Sequence, residues 1–447
     1  MFDVGIIGGG VVGLAILRRL AMAGLDCVLL EKGKDILSGA SKGNSALLHT
    51  GFDAPPDSLE LACMKAGYAE YLDIRERLNL PLLRTSAHVV AWSEAELAKL
   101  PGIVAKAHEN GIADVDVISR EALRQAEPRL DENALGAVRV PGEHVIDPWS
   151  APLAYARQAL AAGATIMRDC EVSGGTYEKG HWTLHAGERR IDARVAVNAA
   201  GLFGDVVERI SRQPSFTIKP RRGQFVVFDK PAAKLVASTI LPVPTERTKG
   251  VVLFRSIFGN LVIGPTAEET DEREYASCDH DTLHRLKLRA IEMVPELRDA
   301  GVNAIYAGLR PATEHKGYLI EALRDRNWIT VAGIRSTGLT GSLGIARHVE
   351  RLYADNFGEL RKREPSAIWT PVPNLAEHRP RPYQQGGEIV CHCEWVTRQE
   401  ISDALAGDLP ARDIDGLKRR TRALMGRCQG FNCGAEVRAM LHRARDG

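Results

Sequence analysis

Phe2-Asp3-Val4-Gly5-Ile6-Ile7-Gly8-Gly9-Gly10-Val11-Val12-Gly13 opens the chain with a β-rich run, a glycine turn and the start of an apolar periodic segment. The order predicts strand, tight turn and helix. Phe2 to Ile7 is the strand, Val11 to Ala23 the helix, Gly24 its stop, and Cys27 to Leu30 a second strand. Within G-x-G-x-x-G, Gly8 permits the turn, Gly10 lets backbone approach a pyrophosphate, and Gly13 allows close helix–strand packing. The helix start offers unpaired N–H donors and a favourable dipole to phosphate. Glu31 closes the second strand, where an acid binds ribose hydroxyls. Together these features predict a dinucleotide site built from Gly8, Gly10, Gly13 and Glu31.

Working outward, the same alternation recurs. Ala151 to Ala162 reads as a helix followed by a short strand through Ile166, and Arg194 to Asn198 as a buried strand running into Ala199-Ala200-Gly201. Trp328 to Ala332 is a further strand, leading into a glycine-punctuated stretch and a helix to about Leu352. Residues 223–228 and 260–265 are apolar strand-like runs in a β-rich middle. Strands alternating with helices predict a parallel α/β sheet, and the middle a more antiparallel layer. The expected architecture is α/β. A Rossmann-type dinucleotide domain (1–80, 145–215, 300–360) interleaves with a β-rich, α+β substrate domain (81–144, 216–299). A linker containing Pro365, Pro371, Pro373, Pro380 and Pro382 spans 361–387, and a small, mostly α unit occupies 388–447.

Composition narrows the classes. A formal net charge of +1 over 447 residues gives no electrostatic argument for nucleic acid. The first apolar run has no basic leader, and no stretch is long and apolar enough to span a bilayer. The expected location is the cytoplasm, with reduced thiols. Peripheral membrane contact and assembly into homo- or hetero-oligomers are left open by the sequence. Of the eight cysteines, Cys27, Cys63, Cys170 and Cys278 are scattered and read as small buried hydrophobes. Cys391, Cys393, Cys428 and Cys433 form a cluster.

Beyond the glycine loop, four more segments occur in order: Ser41-Lys42-Gly43-Asn44-Ser45 to Leu48-His49-Thr50-Gly51, Val197-Asn198-Ala199-Ala200-Gly201, Gly308-Leu309-Arg310-Pro311, and Gly333-Ile334-Arg335-Ser336-Thr337-Gly338 onward to Gly344. With Gly8–Gly13 they make residues 1–360 resemble the FAD-dependent oxidoreductases that include D-amino-acid oxidase and glycerol-3-phosphate dehydrogenase. The resemblance implies FAD, and the single full fingerprint leaves no second fold for a nicotinamide. It implies that Ser41, Lys42 and Ser45 line the phosphate and ribitol side, with Gly201 nearby. It also implies that Gly333, Gly338, Leu339 and Thr340 bring a loop and helix start to the flavin's pyrimidine edge, where a helix dipole stabilises the negative charge of reduced flavin. A substrate anion needs a fixed cation, and arginine's planar fork suits it. By the resemblance, Arg310 and Arg335 fill that role and His49 is the expected general base.

Cys391-His392-Cys393 and Cys428-Gln429-Gly430-Phe431-Asn432-Cys433 give C-x-C…C-x-x-x-x-C, four thiolates able to hold one soft-metal centre. Zinc would accept the same ligands. Residues 388–440, and Met425-Gly426-Arg427-Cys428-Gln429-Gly430 in particular, resemble the bacterioferritin-associated-ferredoxin-like module, which implies a 2Fe–2S cluster. The nearby run Lys418-Arg419-Arg420-Thr421-Arg422 is expected to offset the cluster's charge, to dock an acidic partner or to form a solvated helix face. A flavin joined to a one-electron centre implies a dehydrogenase that exports electrons to a quinone-linked or protein acceptor. The Ser41–Gly51 stretch is closest to bacterial glycerol-3-phosphate dehydrogenases, so glycerol 3-phosphate leads among small anionic substrates. Amino, imino or 2-hydroxy acids are the alternative substrates, and a non-catalytic electron-transfer subunit is the alternative role.

Overall fold

The computed structural model describes residues 1–244, 250–360, 368–376 and 387–446. The strand Phe2–Ile7 lies at the centre of a parallel sheet, flanked by Cys27–Leu30 on one side and Arg189–Asn198 on the other. Thr165–Met167 extends it beyond Cys27–Leu30, and Trp328–Ala332 beyond Arg189–Asn198. The antiparallel strands Gly174–Glu178, His181–Ala186 and Leu319–Leu323 complete it. The central strands carry residues buried on both faces, as a doubly covered parallel sheet requires. Helices Val11–Met22, Leu59–Ile74, Ser150–Ala161 and Gly338–Asn356 contribute to one apolar core with this sheet. Fully buried Leu14, Leu17, Val197 and Ile329 lie within it.

The β-rich middle forms a second, nine-stranded sheet. Its pairings are antiparallel except where Thr239–Pro242 runs parallel to Ala87–Ala91. Two further apolar clusters are built on this sheet, one around Phe254 and Phe225, the other around Phe228 and Leu286. Val302–Arg310, assigned from sequence to the dinucleotide domain, belongs here instead. It pairs along Arg221–Phe228 from Arg310 to Val302, so the dinucleotide domain resumes only after this strand. A three-stranded sheet of Leu47–Leu48, His144–Ile146 and Leu82–Arg84 joins the two units.

Of the proline-rich linker, Pro365, Pro380 and Pro382 lie outside the described residues. Residues 368–376 are irregular and strap the first domain: Val372 donates to the Leu78 carbonyl, and Gln158 donates to that of Ile368. The C-terminal unit contains the helices Arg398–Ala404, Ile414–Thr421 and Gly434–Asp446. Arg398–Ala404 begins with a reciprocal capping box of Thr397 and Glu400.

This unit is fastened to the rest by the basic run, which is neither a solvated face nor free for a partner. Arg420 grips the fully buried Asp35 carboxylate with both terminal nitrogens, at 2.7 and 2.8 Å. Arg168 reaches the same carboxylate at 3.4 Å, and Arg419 donates to the Ile36 carbonyl at 3.0 Å. Arg422 pairs with Glu394 at 3.0 Å. All three arginines of the run are under a tenth exposed. Arg420's acidic partner comes from a distant part of the chain, whereas Arg422's lies within the C-terminal unit. Cys27, Cys63 and Cys170 are buried as expected, whereas Cys278 is half-buried.

Candidate active site

A cavity of about 810 Å³ opens where the glycine loop, the second sheet and the start of helix Gly338–Asn356 converge. Gly8, with φ +114°, turns the chain out of the central strand against the Ala199 carbonyl. A Cβ on Gly13 would collide with the Gly8 carbonyl, so only glycine lets the helix start so close to the strand. Glu31 ties the loop together, accepting from the Gly9 N–H at 2.6 Å and the Gly33 N–H at 2.7 Å. Burial pushes its carboxyl up, and those two N–H groups pull it back. Ser41 Oγ accepts from the Val11 N–H at 3.0 Å, bringing the Ser41 segment to the helix start.

The cavity is lined by Gly8, Gly10, Glu31, Ser41, Ser45, Gly201, Gly338, Leu339, His49, Arg310 and Arg335. Gly13, Lys42, Gly333 and Thr340 are not among its lining residues. Gly13 packs behind the loop, and Lys42 is exposed. Gly333, with φ +72°, lies against the Gly317 carbonyl. Thr340 Oγ1 accepts from the His49 N–H at 3.1 Å and donates to the Leu47 carbonyl at 3.3 Å, so it fastens the helix start to the His49 segment. A cavity of this size lined by the glycine loop, the Glu31 carboxyl and a helix N-terminus fits FAD.

At the second sheet's side, Arg310 donates to the Thr266 carbonyl at 2.9 Å and has no carboxylate partner among the described residues. Burial, reinforced by the Arg221 charge, lowers its guanidinium to about 10. It remains cationic at neutral pH, in want of an anion. Arg335 is better satisfied: it donates to the Lys316 carbonyl and lies 3.6 Å from Glu60. His49 Nδ1 lies 2.7 Å from Glu143 Oε2, while Glu143 Oε1 accepts from the Thr50 N–H and hydroxyl at 2.6 and 2.9 Å. Sequence reasoning did not single out Glu143. It sits in a Pro-Gly-Glu-His turn and meets His49 only because Leu48 pairs with His144 across two strands.

In the C-terminal unit Cys393 neighbours Cys428 and Cys391 neighbours Cys433. The Asn432 backbone N–H lowers the Cys428 thiol, and those of Gly430 and Phe431 add to it. Two irons each taking two thiolates need such a donor set, and N–H groups aimed at sulfur suit bound thiolate.

Comparisons with known proteins agree with this geometry. Residues 3–352 match the FAD dependent oxidoreductase family, and residues 389–443 match the BFD-like 2Fe–2S binding domain. A glycerol 3-phosphate dehydrogenase of Caloramator mitchellensis is 31% identical, over 99% of this chain and 94% of that protein. One subunit of the anaerobic glycerol-3-phosphate dehydrogenase of Haemophilus influenzae is 26% identical, over 99% of this chain and 84% of its own length. Among solved structures, the FAD-bound L-alpha-glycerophosphate oxidase of Mycoplasma pneumoniae superposes with a TM-score of 0.76 at 25% identity. That match covers 84% of this chain and 99% of that one. The chain is therefore an FAD-dependent oxidoreductase of the glycerol-3-phosphate dehydrogenase family, with a C-terminal 2Fe–2S domain as its second redox module.

Proposed function

We propose that this enzyme oxidises the secondary alcohol of glycerol 3-phosphate and exports the electrons through the four-cysteine centre to a redox protein or quinone-linked acceptor. The observation that carries the reading is a half-buried Arg310, with no carboxylate partner among the described residues, lining the same cavity as the His49–Glu143 pair. The relatives' names supply the substrate.

Arg310 holds the phosphate through its planar fork, and Arg335 adds positive charge at the cavity wall. Glu143 accepts a hydrogen bond from the His49 Nδ1–H, which leaves Nε2 as the basic nitrogen that takes the hydroxyl proton. Gly8, Gly10, Glu31 and Ser41 hold the dinucleotide, and Cys391, Cys393, Cys428 and Cys433 hold the cluster. When bound, FAD supplies a hydride acceptor and the cluster a one-electron carrier.

The test is an anaerobic substrate panel on holoenzyme. Glycerol 3-phosphate is expected to bleach the flavin band, while L-2-hydroxyglutarate and amino or imino acids leave it unchanged. Bleaching by one of the acids alone would reassign the substrate. Reduction only by a co-purifying protein would make the chain an electron relay without catalysis of its own.

A further inference from the structure

Between the cavity and the cysteine centre a chain of contacts runs from the backbone beside the cavity through Trp149 and Phe258 to Arg422. Trp149 Nε1 donates to the Lys42 carbonyl at 3.4 Å, and Lys42 is flanked by the cavity-lining Ser41 and Gly43. The Trp149 ring stacks on Phe258, with centroids 5.9 Å apart and planes 14° from parallel. The guanidinium of Arg422 lies 3.7 Å from the centroid of the Phe258 ring. Arg422 Nε then meets Glu394 Oε2 at 3.0 Å, and Glu394 follows Cys393 in the chain. Three different parts of the chain thus meet at Phe258: the helix start at Trp149, a turn of the second sheet and the cluster unit.

We infer that Trp149, Phe258 and Arg422 form the electron bridge from the flavin cavity to the cysteine centre. The inference rests on the proposal that electrons leave through that centre. The Arg422 guanidinium sits 3.7 Å from the Phe258 ring centroid, so no water layer separates the units at this contact. Asp147, fully buried, fixes the bridge at the Trp149 end by accepting the Trp149 N–H at 2.9 Å. The Asp35–Arg420 pair and the Lys230–Glu394 pair, at 3.0 Å, hold the cluster unit against both domains, so the contact does not depend on a docking motion. The balance is simple. Substrate loses a hydride and a proton to become a ketone, the hydride's two electrons cross singly, and its own proton is released to solvent as they leave. Each turnover therefore crosses the bridge twice and reduces two equivalents of a one-electron acceptor.

The experiment uses Phe258→Leu, which keeps an apolar side chain but removes the ring from between Trp149 and Arg422. Electrons are injected at the flavin of anaerobic holoenzyme by flash photoreduction with EDTA, and cluster bleaching is followed. This arm needs no substrate, so it stands even if the proposed substrate fails. Midpoint potentials of both centres and the cluster's electron paramagnetic resonance signal are recorded alongside. In Phe258→Leu, flavin-to-cluster transfer is expected to slow by roughly tenfold or more. Both potentials, the resonance signal and flavin bleaching by substrate should match the parent, and Phe258→Trp should restore the transfer rate. Transfer at the parent rate in Phe258→Leu with both centres loaded would overturn the bridge. So would slowing accompanied by a shifted potential or a lost cluster signal.

Discussion

Glu143 Oε2 lies 2.7 Å from His49 Nδ1, and its other oxygen is held by the backbone and hydroxyl of Thr50. A carboxylate with three hydrogen bonds and almost no exposure has little freedom to move. It fixes both the ring orientation and the tautomer of the histidine. Glu143→Gln keeps the shape but removes the anion that stabilises a protonated ring. The expected result is a kcat lowered by roughly 10- to 1000-fold with KM nearly unchanged. Steady-state kinetics with glycerol 3-phosphate, on protein of normal flavin content, decide it. An unchanged kcat would remove His49 from proton transfer.

Arg310 offers the cavity a cation whose own chain provides no counter-charge among the described residues. Arg310→Ala should lower kcat/KM for an anionic substrate by roughly 10- to 100-fold, and Arg310→Lys by less. The defect should shrink when the uncharged alcohol glycerol replaces the phosphate ester. Equal losses for both substrates would mean that the arginine is structural.

Asp35 carries the attachment of the cluster unit. Replacing it with Ala leaves Arg420 and Arg168 buried beside an empty partner site, a loss of roughly 3–5 kcal/mol at the contact. Limited proteolysis of Asp35→Ala should release a C-terminal fragment while the remaining protein retains FAD. A digestion pattern identical to the parent's would show that other contacts suffice.

Cys428→Ser removes one member of a thiol pair. Purified anaerobically, it should contain full flavin with iron and acid-labile sulfide well below the parent. Zinc in place of iron in the parent itself would assign the site to a structural ion.

His88 is buried against Ser238, its Nδ1 2.7 Å from the hydroxyl. Burial, with Arg139 nearby, lowers its pKa to about 4 from the ordinary 6.5. Between those values the unfolded chain binds a proton that the native chain refuses, so stability falls as pH drops from about 6.5 to about 4 and levels off below. The total loss is roughly 2–4 kcal/mol. Thermal melts from neutral to acid pH should show a shallower slope for His88→Gln than for the parent.

The glycine loop and the cysteine unit were legible because each writes its requirement into a few neighbouring residues. Gly8, Gly13 and Glu31 are fixed by one turn and its two strands. Glu143 is different: it stands 94 positions from His49, and only the pairing of two short strands brings them together. The basic run was misleading for the same reason. Arg420 meets Asp35 across 385 positions, and nothing near either residue announces the other. Val302–Arg310 could edge either sheet by its composition, and its pairing with Arg221–Phe228 decided the matter.

The parallel sheet around Phe2–Ile7 has a consequence for how the molecule is made. Its strands come from residues near 2, 27, 165, 189 and 328, so Phe2–Ile7 meets one partner, Cys27–Leu30, soon after it is made but waits for the other until the chain has reached Asn198. The glycine loop is thus made long before helix Gly338–Asn356 and cannot close on its cofactor until that helix has emerged. Flavin capture and cluster-unit docking both wait on segments made long after the glycine loop, and a chain cut short before that helix carries neither redox centre.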